Sequence, residues 1–168
     1  QHMIPEYHTW KARLAGDREL EAAAGPLGDA ALERCLEAGV DVTAVRRGVA
    51  GEHGIYLGVQ DDRGELRFGV SDMSVLDGCD VGYLEEQREL ICKAAYLVID
   101  ANLPPATAQR ALDLAAEARV PVLLEPVSVA KARRAATLQG RIFLATPNRR
   151  EVSALLSGRL RVDHLLVT

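Results

Sequence analysis

The sequence predicts an α/β fold, a parallel sheet with flanking helices, together with a small antiparallel hairpin. The second half of the chain alternates short apolar runs with stretches of helical periodicity, the pattern of a parallel sheet with right-handed crossovers. The first half contains two apolar runs separated by a turn sequence, which predicts a hairpin. The chain has 168 residues, of which 48% are hydrophobic and 26% charged, the composition of about one globular domain.

The N-terminal part of the chain predicts helix. Residues 1–3 look like the remnant of an expression vector and are set aside. Residues 4–24 form a predicted helical segment, and a second helix follows a Gly-Pro break, with Asp29 as its N-cap and Gly39 at its C-terminus. Three apolar residues fall on one side of the first helix: Trp10, Leu14 and Leu20.

The next segment, residues 43–70, predicts the lid strands of a hairpin. Apolar runs at residues 55–59 and 65–70 flank the turn sequence of residues 60–64. A loop rich in Asp and Gly follows at residues 71–82, and residues 83–93 predict one helix. The lid strands could pair between subunits, so we expect a homo-oligomer.

From residue 95 to residue 168 the pattern becomes regular, and it predicts a parallel α/β half. The strands are nearly continuous apolar runs, as expected where helices cover both faces of a sheet. The helix at 105–118 places Ala108, Ala111, Leu112 and Ala115 on one face. The predicted strands are 95–100, 120–124, 141–145 and 164–167, and the other helices are 129–138 and 149–157.

Charge and motifs exclude several classes of protein. The net charge of −4 and the pI near 5.6 argue against nucleic-acid binding. No apolar stretch approaches the ~18 residues of a membrane span. Three cysteines without CxxC spacing predict reduced thiols in a cytoplasmic protein. The sequence has no P-loop, no G-x-G-x-x-G after a strand, no G-x-S-x-G and no histidine spacing typical of metal sites.

Polar residues follow every predicted strand of the second half. Ligands of open α/β sheets bind outside the carboxyl ends of the strands, so these residues predict a site there. Asp, Asn, Ser and Thr are also ordinary turn and N-cap residues, and for each residue alone that interpretation stays open. The residues are Asp100, Asn102, Glu125, Ser128, Thr146, Asn148 and Thr168.

Three motifs in this half resemble those of the PfkB, or ribokinase-like, kinase family. They are V-I-D-A-N-L-P at residues 98–104, E-P-V-S-V-A-K at residues 125–131 and T-P-N-R-R-E at residues 146–151. The second motif is most similar to that of the pseudouridine kinase branch. The resemblance extends over about residues 25–168 and implies a Rossmann-like sheet with flanking helices and a lid.

The resemblance implies ATP-dependent phosphorylation of a nucleoside, most like pseudouridine, with Mg²⁺ as cofactor and ATP as co-substrate. It places Asn148 and Thr168 at the nucleotide and Glu151 at the metal, where a carboxylate suits a hard cation. It also implies a set of residues that contact the nucleoside or sugar substrate: Tyr56, Asp72, Asn102, Glu125, Ser128 and Lys131. For three of these residues a purely structural interpretation is equally open: Lys131 as a solvated residue, Tyr56 as a sheet residue and Asp72 as a loop residue.

Two family elements are missing from these 168 residues. The Gly-Gly element and early Asp that hold the sugar do not occur in residues 4–24, and the G-A-G-D element with the catalytic base would follow Thr168. We therefore expect an incomplete kinase domain without a catalytic base of its own. Two alternatives stay open: a catalytically inactive binding module with the kinase fold, and a PfkB sugar kinase of other specificity.

Overall fold

The computed structural model describes residues 22–23, 25–47, 54–64 and 66–168. Most of the predicted helical segment 4–24, with Trp10, Leu14 and Leu20, lies outside the described residues. Its described residues, Ala22–Ala23, form a strand, β1, which pairs in parallel with β2, Arg46–Arg47. The helix prediction was therefore wrong at Ala22–Ala23, because this segment pairs with a distant strand instead of coiling locally.

The first described helix, α1, covers Gly25–Glu37. Asp29 lies inside this helix, so its prediction as N-cap was wrong. Pro26 stands in the first turn, where the missing N–H of a proline leaves no helical hydrogen bond unmade. The predicted end at Gly39 is confirmed, because this glycine has φ +79°, a left-handed conformation typical of the residue after a helix.

The predicted hairpin is confirmed as an antiparallel pair, β3 (Ile55–Gln60) and β4 (Leu66–Asp72). Within the predicted lid region 43–70, Arg46–Arg47 pairs with β1 and not within the hairpin. Leu57 pairs with Val70 and Val59 with Phe68. Side chains alternate between the faces of a strand, so one face of the hairpin is apolar except for Asp72, which pairs with Ile55 at one end. It carries Ile55, Leu57, Val59, Phe68 and Val70, all of them exposed.

The predicted single helix at 83–93 is two short helices, α2 (Val81–Glu86) and α3 (Arg88–Lys93), after a 3₁₀ turn at Ser74–Gly78. Helix α2 begins earlier than predicted because the Asp80 side chain accepts a hydrogen bond from the Tyr83 N–H at 2.7 Å and caps it. The backbone leaves helical geometry at Gln87, where φ is −97° and ψ 10°.

The second half of the chain is a four-stranded parallel sheet with the strand order β5-β6-β7-β8. Each strand follows the previous one in sequence and lies beside it, with one helix in each crossover, as predicted. The elements are β5 (Leu97–Asp100), α4 (Pro105–Ala118), β6 (Val122–Glu125), α5 (Val129–Ala135), β7 (Arg141–Ala145), α6 (Arg149–Leu155) and β8 (Arg161–Leu165).

The main core lies between this sheet and its helices. Sheet residues such as Ile99, Leu124 and Ile142 belong to one buried cluster with the predicted inner face of α4. One region of the sheet is not covered by any described helix. Tyr96 and Phe143 are 39% and 40% exposed there, and the Phe143 ring contacts His164 edge-on. The prediction that both faces are covered was therefore wrong for this region of the described chain. No described helix is long and apolar enough to cross a membrane.

Candidate functional site

The carboxyl ends of the four parallel strands lie at one edge of the sheet, and backbone hydrogen bonds join the loops that follow them. The Ala101 N–H donates to the Glu125 carbonyl at 2.9 Å, and the Thr146 N–H donates to the Leu124 carbonyl at 3.1 Å. Thr168 is exposed, and its N–H donates to the Pro147 carbonyl at 3.1 Å. The loops that carry the predicted polar residues are therefore fixed relative to one another.

Asp100, Asn102 and Lys131 form a chain of hydrogen bonds at this edge. Asp100 accepts from the Asn102 backbone N–H at 2.8 Å and from its side-chain amide at 3.0 Å. This leaves the amide oxygen of Asn102 to accept a hydrogen bond from the Lys131 ammonium. Lys131 therefore has a neutral partner, and among the described residues no carboxylate forms an ion pair with it.

Glu125 links the loops after β6 and β7. One carboxylate oxygen accepts from the Val127 N–H at 3.1 Å, and the other accepts from the Thr146 hydroxyl at 2.5 Å. Each carboxylate oxygen already accepts a hydrogen bond from the chain. Glu125 therefore fixes the loops after β6 and β7 relative to each other. The Ser128 hydroxyl oxygen accepts from the Lys131 N–H at 3.3 Å and caps α5, so this residue also has a structural partner.

Asn148 and Glu151 begin helix α6 with a capping box. The Asn148 side-chain oxygen accepts from the backbone N–H groups of Arg150 and Glu151. In return, the Glu151 carboxylate accepts from the Asn148 N–H at 2.9 Å and from its side-chain amide at 2.7 Å. Glu151 is only 3% exposed. Both residues therefore stabilise the helix N-terminus, whatever further role they have.

Tyr56 and Asp72 lie on the hairpin, in a different sheet from the strand ends. Tyr56 packs over Gly69, where an added Cβ atom would stand 2.5 Å from its hydroxyl oxygen. The Ser74 N–H donates to Asp72 at 2.9 Å, and this hydrogen bond lowers the pKa of the Asp72 carboxyl. These two residues therefore lie on the hairpin, whereas the other predicted substrate residues lie on or next to the loops after the parallel strands.

Arg134 lies at the same edge, where the sequence did not predict it. It donates from its guanidinium to the Ala101 carbonyl, which belongs to the loop after β5. With Asp100 and Ala101 it lines a small cavity next to Leu103. A sequence signal was present, because Arg134 is three residues after Lys131 and such residues share a helix face.

Residues 22–165 match the pfkB family of carbohydrate kinases. This match includes most of the chain and all of the described sheet. The chain belongs to the pfkB carbohydrate kinase family.

Two pseudouridine kinases are similar to this pfkB chain. The one from Arabidopsis thaliana is 33% identical over 98 residues, which are 58% of this chain and 26% of that protein. The one from Escherichia coli K12 is 34% identical over 108 residues, which are 62% of this chain and 34% of that protein. The chain therefore spans about a third or less of the length of these curated relatives.

Solved structures confirm the ribokinase-like α/β fold. A carbohydrate kinase from Agrobacterium tumefaciens superposes with a TM-score of 0.71 at 26% identity, over 82% of this chain and 46% of its own. An Arabidopsis thaliana ribokinase complexed with ribose and ATP superposes with a TM-score of 0.61 at 15% identity, over 89% of this chain and 54% of its own. The second likeness concerns the fold alone.

A magnesium ion would find limited direct ligands in this part of the pfkB fold. Among the described residues, no three His, Cys, Asp or Glu side chains are grouped so that they could hold a metal. Both Glu151 oxygens already accept hydrogen bonds from Asn148. Mg²⁺ usually keeps several waters and takes further oxygens from substrate phosphates, so a few protein ligands suffice. The residues thus suit an ion held largely through water and phosphate.

Proposed function

We propose that this pfkB domain serves an ATP-dependent nucleoside kinase that phosphorylates the 5′-hydroxyl of pseudouridine. The observation that carries the proposal is the Lys131 ammonium at the carboxyl edge, held by the neutral Asn102 oxygen. A cation whose charge is not matched by a carboxylate attracts a phosphate or a polarised substrate hydroxyl. The two pseudouridine kinases among the similar proteins support this choice of acceptor.

The rest of the edge supports phosphoryl transfer through position and charge. Transfer between ATP and a hydroxyl depends mainly on alignment and on electrostatic stabilisation of the phosphoryl oxygens. Asp100 fixes Asn102, and Glu125 fixes the two loops on either side. Asn148 would face the nucleotide, and Mg²⁺, when bound, would neutralise charge on its phosphates. The ATP-bound ribokinase of the same fold supports ATP as the donor.

Equilibrium binding tests this proposal directly, because it measures recognition of the acceptor without requiring turnover. Calorimetric titrations would compare pseudouridine, uridine, ribose and fructose in the presence and absence of MgATP. We expect pseudouridine to bind most tightly. Preference for a free sugar would instead indicate a pfkB sugar kinase, and absence of binding to all four would favour a non-catalytic interaction module.

A charge-removing variant tests the role of Lys131. Lys131→Met keeps most of the side-chain length. It should weaken pseudouridine binding in the presence of MgATP by about tenfold or more, because a charged hydrogen bond contributes about 1.5–3 kcal/mol. Lys93→Met is the matched control, since Lys93 is exposed on α3 and pairs with Glu89. If Lys131→Met and Lys93→Met bind pseudouridine equally tightly, Lys131 is not part of the site.

A further inference from the structure

The turn between β6 and α5 contains a residue in an unfavourable backbone conformation. Val127 has φ +68°, and the Ser128 N–H donates to the Pro126 carbonyl at 2.7 Å, which closes a tight turn around Val127. A β-branched residue rarely adopts positive φ, because its Cβ atom crowds the backbone carbonyl. Glycine adopts this conformation without that cost.

The surrounding structure holds the turn in this shape from three sides. The Val127 N–H donates to the Glu125 carboxylate at 3.1 Å. Pro126 is among the fully buried side chains, and Ser128 caps α5 through the Lys131 N–H. Strained conformations persist where the fold determines them in this way, and they occur often at ligand sites.

Packing does not explain why a valine stands at this position. Its side chain is 38% exposed, so it gains only part of the burial that a valine gains in a core. Among the residues of the loops after β5, β6 and β7, Val127 is the one large apolar side chain that is exposed. It stands in the same turn as Ser128 and next to the Glu125 carboxylate, at the edge that carries the proposed acceptor site.

We propose that Val127 is a specificity-determining residue whose side chain forms an apolar wall against the flat face of the acceptor's heterocyclic ring. This inference rests on the proposed function, because it concerns the ring of a nucleoside acceptor. The strained turn holds the branched side chain at the edge, where an apolar surface favours a planar base over a free sugar. The polar groups of Asn102 and Lys131 are then left for hydroxyl and phosphate groups.

Three variants separate the side chain from the backbone. Val127→Gly removes the side chain and relieves the positive φ, whereas Val127→Ala removes the branch and keeps the strain. Arg119→Gly is the matched control, because Arg119 also has positive φ, 59°, but follows α4 on an exposed turn before β6. Pseudouridine and ribose binding are measured by calorimetry, and the thermal midpoint Tm is measured for each variant.

We expect both valine variants to bind pseudouridine about 3–10-fold more weakly, since part of a valine contact is lost, with ribose binding unchanged. Val127→Gly should melt at the wild-type Tm or about 1–4 °C higher, as should Arg119→Gly, which should bind like the wild type. Ring-current shifts of the Val127 methyl resonances on addition of pseudouridine, and not of ribose, would report direct contact.

The outcomes distinguish this inference from the proposed function. If the wild type binds pseudouridine and the valine variants bind it equally well, the apolar wall is disproved and the proposed function stands. A clear loss of Tm in Val127→Gly would show that the valine serves stability, and it would also overturn the inference. If the wild type binds no pseudouridine, both proposals fail.

Discussion

At the scale of single residues, Glu151 shows how a carboxylate with a predicted metal role can have a full set of structural partners. It is buried, and both of its oxygens accept hydrogen bonds from Asn148. In Glu151→Gln, the amide NH₂ would face a donor on Asn148. We expect the free energy of unfolding to fall by about 1–2 kcal/mol, measured by urea denaturation. Glu33→Gln, an exposed change on α1, should stay within about 0.5 kcal/mol of the wild type.

The same variant tests the metal role that the sequence predicts for Glu151. If the carboxylate helps to position Mg²⁺ through water, Glu151→Gln should raise the Mg²⁺ concentration that half-saturates ATP binding, because one negative charge near the ion is lost. A magnesium titration at constant ATP, followed by calorimetry, measures this concentration. If the titration curves of variant and wild type superimpose, Glu151 only caps α6 and does not position Mg²⁺.

Two site residues show which parts of the site the sequence reveals. Asn102 and Lys131 were predicted from the strand-end rule and from the family motif, and the structure joins them in a hydrogen bond. The positive φ of Val127 had no signal in the sequence, because valine is among the residues least expected there. The structure fixes that conformation through the Glu125 carboxylate, which accepts from the Val127 N–H, and through Pro126, which is buried only by the packing of the folded chain.

At the scale of elements, the junction of α5, α6 and β8 depends on Gly158. A Cβ atom added there would lie 2.0 Å from the Ala136 carbonyl oxygen, and that oxygen also accepts from the N–H groups of Arg159 and Leu160. Gly158→Ala should therefore destabilise the fold by about 2–4 kcal/mol, because backbone atoms must move apart.

Gly82→Ala provides the comparison for that change. Gly82 lies in helix α2, and an added Cβ would meet only the Asp80 side chain, at 3.3 Å. Alanine stabilises a helix relative to glycine, so Gly82→Ala should be neutral or stabilising by up to about 1 kcal/mol. Thermal denaturation of both variants measures the difference. Similar midpoints would contradict the close contact at Gly158.

The sequence predicted a third crossover helix at 149–157, which would stop just before Gly158, and α6 does end nearby, at Leu155. The physical reason differs from the one that the pattern suggests. Gly39 ends α1 through a positive φ, whereas Gly158 is needed because the chain passes close to Ala136. A local pattern identifies a break, but a close approach between distant segments is set by the packing of α5 against α6.

Helices α2, α3 and α4 are joined by an ion-pair cluster that makes stability depend on pH. Arg110 contacts Glu85 at 2.5 Å and Glu117 at 3.1 Å, and Arg88 contacts both glutamates. The hydrogen bonds from Arg110 are the largest cause of the lowered pKa of each glutamate. Carboxyl groups with a lowered pKa contribute stability above their ordinary pKa of 4.5 and lose it as the pH falls through the folded value.

We therefore expect Tm to fall between about pH 5 and pH 3, and to fall less in Arg110→Gln, which lacks the central cation. Because the two glutamate side chains are exposed and Arg110 is only partly buried, 1 M NaCl should reduce the difference between variant and wild type. Arg133→Gln, on the exposed side of α5, should keep the wild-type pH profile. Parallel Tm profiles for Arg110→Gln and wild type would show that the cluster contributes nothing to folding.

At the scale of the whole molecule, two apolar surfaces of the described chain are left exposed. One is the open region of the parallel sheet around Tyr96 and Phe143, and the other is the apolar face of the β3–β4 hairpin. A two-stranded hairpin is marginally stable in water unless it packs against something else. Large exposed apolar patches on folded proteins commonly mark contacts with other chains or segments.

The hairpin face carries the prediction of a homo-oligomer. Apart from Asp72, opposite Ile55, the face is apolar. The same face of a second copy could pack against it, so that two hairpins bury each other's exposed side chains in an isologous contact. We expect sedimentation velocity to show a dimer or larger species whose population rises with protein concentration. A single monomeric species at all concentrations would contradict the prediction.

A paired substitution distinguishes the hairpin from the open sheet region as the contact surface. Leu57 and Val70 face each other across the strands, so Leu57→Glu combined with Val70→Lys keeps a favourable cross-strand pair while it makes the face polar. This double variant should sediment as a monomer at concentrations where the wild type associates. Gln60→Lys adds a charge on the opposite face of β3 and should leave association unchanged. If the double variant still associates, the contact surface is not the hairpin. Phe143→Lys, on the open sheet region, is then the substitution expected to abolish association. Phe143 is 40% exposed and contacts Tyr96 and His164.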